Sequence, residues 1–377
     1  MFDRVLILSA SAGAGHIRAA QAVEKAFIQL NAARELRNID VLDYTNKLFR
    51  NLYSRTYIEM VDKAPAVLGW LYDHLDKPWR FQKHRLALDK LNTGPFIKLL
   101  KEYQPDLAVC THFLPAEIIS WLRKKHRLVI PQAIVITDFD VHAMWLCNYY
   151  EHYFVALEET KRHLQALGID PEKITASGIP IDPVFAQHKD KTEIRKSLGL
   201  DTKLPAILIS AGGFGVGPTE MLVQSLTQMH NKVQVIAICG KNEELKNRLE
   251  QFAAGLADNS PVKIVPVGYT TKMDEFMSAA DLLLGKPGGL TTCEALAKNL
   301  PIVIVRPIRG QEERNSDHLL EEGVAIRCNN LPVLAYKIDS LLDDPKRLAL
   351  MRKNAKRLAR PLAAIQLVKK LLTLRNT

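Results

Sequence analysis

A chain of 377 residues is about twice the usual single-domain size, so two domains are the expectation. Hydrophobic residues make up 47% and charged residues 24%, which excludes a disordered or collagen-like chain. The net charge of +10 is concentrated, with ten basic and no acidic residues from Lys346 to the C-terminus. A second basic stretch holds Lys77, Arg80, Lys83, Arg85, Lys90, Lys98 and Lys101, with Asp89 as its only acid. Such faces suit a polyanion, either nucleic acid or an anionic membrane surface, or else they solvate helices.

In chain order, Val5–Ser9 reads as a strand and Ile17–Leu30 as an amphipathic helix, followed by a strand at Asn38–Leu42. From about residue 46 to 100 the rhythm breaks. Trp70, Trp79 and Phe81 interleave there with basic residues, and the stretch reads as a helical insertion. Strands resume at Leu107–Thr111, Ala133–Thr137 and Tyr153–Ala156. Gly178–Pro183 and the polar stretch to about Lys203 mark a domain junction. A second series follows, with strands at Ala206–Ser210, Val233–Cys239, Lys263–Val267, Leu282–Gly285 and Ile302–Val305. Helices are expected at Thr219–His230 and Thr291–Lys298. Alternation of this kind makes βαβ units and a parallel sheet, and it happens twice. The expectation is an α/β protein of two Rossmann-like domains facing across a cleft, residues 1–183 and 184–355, with a basic helix at 356–377.

The five cysteines are scattered without a Cys-x-x-Cys pair, which indicates neither a disulfide framework nor a zinc site and fits a reducing cytosol. The apolar run Val5–Leu8 is too short for a signal peptide, and no stretch approaches the ~18 residues that span a bilayer. Any membrane contact is expected to be peripheral.

Three glycine-rich turns lead from a strand into a helix. Ser9–His16 reads Ser-Ala-Ser-Ala-Gly-Ala-Gly-His, without the third glycine of the dinucleotide fingerprint. Gly13 and Gly15 let a ligand approach the backbone, and His16 at the helix start is a candidate general base. Gly212–Pro218 is a second loop suited to cradling phosphate with backbone N–H groups, and it has no Gly-Lys-Ser/Thr. Gly285–Leu296 is the third, with Glu294 one turn inside its helix, where it is placed to accept hydrogen bonds from ribose hydroxyls or simply to complement the helix dipole. Pro307–Asn315 is dense in groups that bind sugar hydroxyls. Asp138-Phe139-Asp140, close to His142, spells a metal-and-diphosphate signature. Its place in the first domain, away from the phosphate loops, favours a structural or acceptor-orienting role instead.

Together, SAGAGHIRAA, VITDFDVHAMW, GGFGVG and KPGGLTTCEALAKNLPIVIVRPIRGQEERN resemble the monogalactosyldiacylglycerol synthase group and the bacterial diacylglycerol glucosyltransferases. These are relatives of the peptidoglycan lipid-intermediate N-acetylglucosaminyl transferase. The resemblance covers nearly the whole chain. It implies the GT-B fold, a lipid acceptor on the first domain, a nucleotide sugar on the second, and a final helix that crosses back to the first. It also implies an inverting transfer of a hexose or N-acetylhexosamine from a UDP-sugar to a membrane lipid such as diacylglycerol, giving a β-glycoside.

By position, the resemblance places Gly213, Phe214 and Gly215 at the diphosphate and Gly268 and Tyr269 at the uracil. Pro287, Gly288, Gly289 and Thr291 form the donor-facing helix start, and Glu294 binds the ribose. Gln311 and Glu312 contact the donor sugar, and Asn315, in the same polar stretch, is a further candidate for donor binding. Gly13, Gly15 and His142 belong to the acceptor and phosphate loop. Plant members carry Asp where this chain has Ser11, so the base is either His16 or Asp138. Trp79, Arg80, Phe81, Lys83 and Arg85, with Phe96, are the expected membrane face. The expected partners are a UDP-sugar, a membrane-lipid acceptor and an anionic membrane surface, with no nucleic acid, no tightly bound cofactor and no divalent metal. The expected location is cytoplasmic, at the inner face of the cell membrane. The alternatives are a UDP-sugar epimerase of the same fold, a transferase acting on a lipopolysaccharide or polyprenyl-lipid precursor, and a non-enzymatic nucleic-acid or membrane-binding module.

Overall fold

Runs such as Leu282-Leu-Leu-Gly and Ile302-Val-Ile-Val are apolar at every position, as strands buried on both faces must be. A computed structural model describes residues 1–11, 13–46, 65–79, 93–210, 218–257 and 259–375. In the first half the strands are β1 (Phe2–Ser9), β2 (Ala33–Asp40), β3 (Leu107–Cys110), β4 (Gln132–Val135), β5 (His152–Val155) and β6 (Ile174–Ala176). In the second they are β7 (Ala206–Ser210), β8 (Val233–Ile238), β9 (Val262–Val267), β10 (Leu282–Gly285), β11 (Ile302–Val305) and β12 (Ala325–Cys328). They make two parallel six-stranded sheets, ordered β2-β1-β3-β4-β5-β6 and β12-β11-β10-β7-β8-β9. Val5 pairs with Leu36 on one side and Leu107 on the other, which fixes the register of the first sheet.

Parallel strands need crossover connections, and helices supply them. The first half contributes α1 (Ala14–Gln29), α2 (Pro65–Leu75), α3 (Gly94–Tyr103), α4 (Phe113–Lys124) and α5 (Glu158–Ala166). The second contributes α6 (Lys191–Ser197), α7 (Thr219–Leu226), α8 (Glu243–Ala254), α9 (Met273–Ala279), α10 (Gly289–Ala297), α11 (Gln311–Glu321), α12 (Leu334–Leu342) and α13 (Pro345–Leu358). The last helix, α14 (Ala363–Arg375), packs against α1 and shares a core with Val5 and Ile7 of β1 and Val23 and Phe27 of α1.

Strand order reverses beside β1 in the first sheet and beside β7 in the second. Open α/β sheets bind ligands at such points, outside the carboxyl ends of the strands. The loops after β1 and β10 hold two of the three glycine-rich turns of the sequence; residues 211–217 of the third lie outside the described residues.

Several elements differ from the sequence reading. The second strand lies at Ala33–Asp40 and not at Asn38–Leu42, because the Asp40 carboxylate accepts from Leu42 N at 3.0 Å and turns the chain into a 3₁₀ helix. Charged residues Arg34, Glu35 and Arg37 suit its place at the sheet edge. Strands β6 and β12 were not expected: at three and four residues they carry no period, and pairing with β5 and β11 creates them. The helix expected to reach His230 ends at Leu226.

Phe96, expected on a membrane face, is 0% exposed and packs with Leu100 and Tyr103 in the first core. Arg80, Phe81, Lys83 and Arg85 lie outside the described residues. In the basic tail, Arg352 pairs with Asp281 at 3.1 Å, Arg357 with Glu322, and Arg375 with Asp3 at 3.7 Å. Lys346, Arg347, Lys353, Lys356 and Lys369 remain exposed. Among the described residues, no helix is long and apolar enough to cross a membrane.

Candidate active site

The loop after β1 delivers His16 into the first turn of α1, where Gly13 takes the N-cap position and supplies no side-chain cap. A Cβ at Gly13 or Gly15 would meet nothing within 4 Å, so the loop leaves open space beside its backbone. His16 Nδ1 lies 3.0 Å from the Thr111 carbonyl oxygen and 2.9 Å from Thr137 Oγ1. A carbonyl only accepts, so Nδ1 carries the proton and donates, leaving the lone pair on Nε2. Nε2 has no hydrogen-bond partner among the described residues. The His112 ring packs edge-on at 4.6 Å, and Trp145 lies at 6.3 Å. Burial lowers the His16 pKa to about 4 against the opposing bond to Thr111, so the imidazole is neutral at physiological pH.

Across the cleft, Gly288 takes the N-cap position of α10, again without a side-chain cap. Two uncapped helix starts, one from each sheet's switch point, thus border the cleft, and each offers N–H groups to an anion. Glu294 is 1% exposed, and its Oε1 accepts from Arg18 of α1 across the domain interface. Its Oε2 is buried with no partner among the described residues. Burial raises the Glu294 pKa, opposed by Arg18. Arg18 thus holds one oxygen of the carboxylate, and the other is left as the group that could accept from a ligand.

The segment Thr137–Asp140 touches the second domain at each residue. A Cβ at Gly289 would sit 2.4 Å from the Thr137 carbonyl oxygen, so only glycine allows the two backbones to meet there. Asp138 Oδ1 accepts from Gln311 Nε2, Phe139 N donates to Asn315 Oδ1 at 3.2 Å, and Asp140 Oδ2 accepts from Arg314 at 2.9 Å. Burial raises Asp138 to about 6, with Asp140 adding to the shift and bonds from Gln311 and Asn315 opposing it. Glu312 accepts from Ile308 N at 2.7 Å and is pushed by burial up to about 7.

The two aspartates of the D-x-D triplet thus have different partners. Among the described residues no group of three or more His, Cys, Asp or Glu side chains is arranged to hold a metal ion.

Two expected site residues need correction. His142 Nδ1 accepts from Met144 N at 3.1 Å, and its Nε2 donates to the Tyr72 carbonyl at 3.0 Å. Both nitrogens hold the fold, and neither is open to a phosphate or an acceptor. Asn315, expected to bind the donor, is 1% exposed; its amide donates to Pro287 O at 3.1 Å while its oxygen holds Phe139 N. It ties the two domains together.

Gly213, Phe214 and Gly215 lie outside the described residues. Tyr269 beside Gly268 is exposed, with Lys241 Nζ 5.7 Å from its ring centre, and Thr291 is partly exposed on the first turn of α10. Thr111, Thr137, His112, Arg18 and Arg314 were missed by the sequence reading. Arg18, Thr137 and Arg314 lie inside the quoted motifs, but only the folded chain shows what they touch.

Two Rossmann-like domains with these facing helix starts have the GT-B architecture. Residues 16–181 match the family described as Monogalactosyldiacylglycerol (MGDG) synthase, and residues 190–358 match Glycosyl transferases group 1. The processive diacylglycerol beta-glucosyltransferase of Staphylococcus saprophyticus is 32% identical over 99% of this chain and 93% of its own. Acinetobacter baumannii MurG shares the fold with a TM-score of 0.61 at 17% identity, covering 98% of this chain and 99% of MurG. So does a UDP-GlcNAc 2-epimerase from Neisseria meningitidis bound to UDP-GlcNAc, with a TM-score of 0.61 at 13% identity over 98% and 99% of the two chains. The chain belongs to the diacylglycerol glucosyltransferase family, within the monogalactosyldiacylglycerol synthase group.

Proposed function

We propose that the protein moves glucose from UDP-glucose to the free hydroxyl of diacylglycerol, with inversion, giving a β-glucoside. The observation that carries this is the neutral His16, its proton pinned on Nδ1 by Thr111 and its Nε2 lone pair left open beside two uncapped helix starts. The relatives' name supplies the sugar and the lipid.

In this reading the acceptor hydroxyl gives its proton to His16 Nε2 as its oxygen attacks the anomeric carbon. The bond from that carbon to the phosphate oxygen breaks on the opposite face, and UDP leaves with the electron pair. Backbone N–H groups at the helix starts stabilise the charge that develops there. Gln311 and Glu312 serve the donor sugar, Glu294 serves the ribose, and Gly268 and Tyr269 serve the uracil. Asp138, bonded to Gln311, sits where the two domains join and remains the second candidate base.

A panel of UDP-sugars with extracted lipids, read by product mass, tests the assignment. A glucosyl-diacylglycerol supports it. Isomerised UDP-sugar formed from donor alone would establish the epimerase reading in its place. A sugar found only on a lipopolysaccharide precursor or polyprenyl lipid would move the acceptor.

Glu294→Ala is expected to weaken UDP binding by roughly 1.5–3 kcal/mol, the worth of hydrogen bonds to a charged group. Calorimetry with UDP measures it. Unchanged affinity would take Glu294 out of the ribose site and leave it only its bond to Arg18.

The protein is also proposed to bind anionic membrane peripherally, at the inner face of the cell membrane. Val67 and Trp70 of α2 are 55% and 65% exposed, and Trp79 stands just beyond that helix. Aromatic rings settle at headgroup level, and each cation near an anionic surface contributes about 1 kcal/mol. Co-sedimentation with phosphatidylglycerol vesicles should be strong at low salt and fall as salt rises, with neutral vesicles binding weakly. Equal binding to both vesicle types would defeat the electrostatic account.

A further inference from the structure

Helix α2 presents a second face to the donor-binding domain. Gly69 and Tyr72, three apart on α2, and Asp76 just past its end all lie toward the loop that begins α11. A Cβ at Gly69 would come within 2.8 Å of Arg309 Cβ. Gly310, at φ +86°, lies so close to Tyr72 that a Cβ there would sit 2.6 Å from its ring. The Arg314 guanidinium lies 5.3 Å from the centre of that ring. One of its nitrogens donates to Asp76 Oδ2 at 2.7 Å and another to Asp140 Oδ2 at 2.9 Å. The other Asp76 oxygen accepts from Ala143 N at 2.8 Å, which fixes the carboxylate in turn.

One side chain of the second domain therefore holds two parts of the first, the insertion and the segment after β4. It does so from the first turn of α11, which also carries Gln311 and Glu312. We propose that Arg314 is a positioning residue. By bridging Asp76 and Asp140 it sets the Gln311–Glu312 turn at one fixed distance from Asp138 and His16, so that donor sugar and acceptor meet in reacting geometry. This rests on the transfer reading above, and it makes the lipid-side insertion part of the donor sugar's frame. A guanidinium suits the task because its planar fork reaches two carboxylates at once, whereas an ammonium is a single point charge.

The test uses the full-length protein, with wild type assayed in parallel. Arg314→Ala should lower kcat about 10²-fold, the effect of a misplacement of about 1 Å. UDP affinity by calorimetry and the melting temperature should stay near wild type. Asp76→Asn and Arg314→Lys should each fall between, because each keeps one pair of the two. Wild-type kcat in Arg314→Ala would overturn the inference. So would losses of kcat, UDP affinity and melting temperature in step, since that pattern marks a merely structural contact. Failure of the wild type to form any glycolipid would instead defeat the transfer reading and remove the reaction the bridge is proposed to position.

Discussion

His16→Ala is expected to lower turnover about 10²–10⁴-fold, the usual contribution of a general base, while UDP affinity stays near wild type. The expectation follows from the hydrogen bond that assigns the tautomer. Nδ1 keeps its proton and donates to Thr111 O, and Nε2 is then the acceptor. Burial, which lowers the His16 pKa to about 4, keeps the ring neutral throughout an ordinary assay range. Its protonation therefore cannot produce an acid limb near pH 6. A limb there belongs to Asp138, which burial raises to about 6 and which is charged only above that value. Asp138→Asn should remove such a limb, while His16→Ala should leave its position unchanged and lower the whole profile. Turnover near wild type in His16→Ala, with a normal melting temperature, would transfer the base to Asp138.

Gly289→Ala is expected to have the largest effect of any single methyl group on this protein. The added carbon would stand 2.4 Å from the Thr137 carbonyl oxygen and 3.2 Å from Ile179 Cδ1. A backbone carbonyl has no rotamer by which to leave, so the domains must move apart. Overpacking of this kind costs about 1–3 kcal/mol. Displacement of the donor domain by about 1 Å should lower kcat about 10²-fold. UDP, held largely by the second domain in the proposed reading, should still bind. Gly94→Ala is the control: its Cβ meets nothing within 4 Å, and it should leave kcat and melting temperature unchanged. Wild-type turnover in Gly289→Ala would show that the catalytic arrangement does not need this close approach.

The inner strands, such as β1, β7, β10 and β11, are legible in the sequence because a strand covered on both faces reads as a run of apolar residues, and that pattern is local; the charged edge strand β2 lacks it, and its bounds were misplaced. β6 and β12 were not legible, since three or four residues become a strand only when a neighbour offers its edge. The glycine-rich turns at His16 and Gly288 were legible for the same local reason: a strand, small residues and a helix start follow one another along the chain. What those turns face was decided by the packing of two sheets against each other. Arg18 lies two residues from His16, yet nothing near it in sequence tells that it covers Glu294. Asp138 and Asp140 are alike as a sequence pattern, but the fold turns one toward Gln311 and the other toward Arg314. His142 and Asn315 carry the side chains of ligand-binding residues, and tertiary contacts use up their polar atoms. Hydrogen-bond capacity is written in the residue type. Whether it remains free for a substrate depends on which distant groups folding brings within about 3 Å.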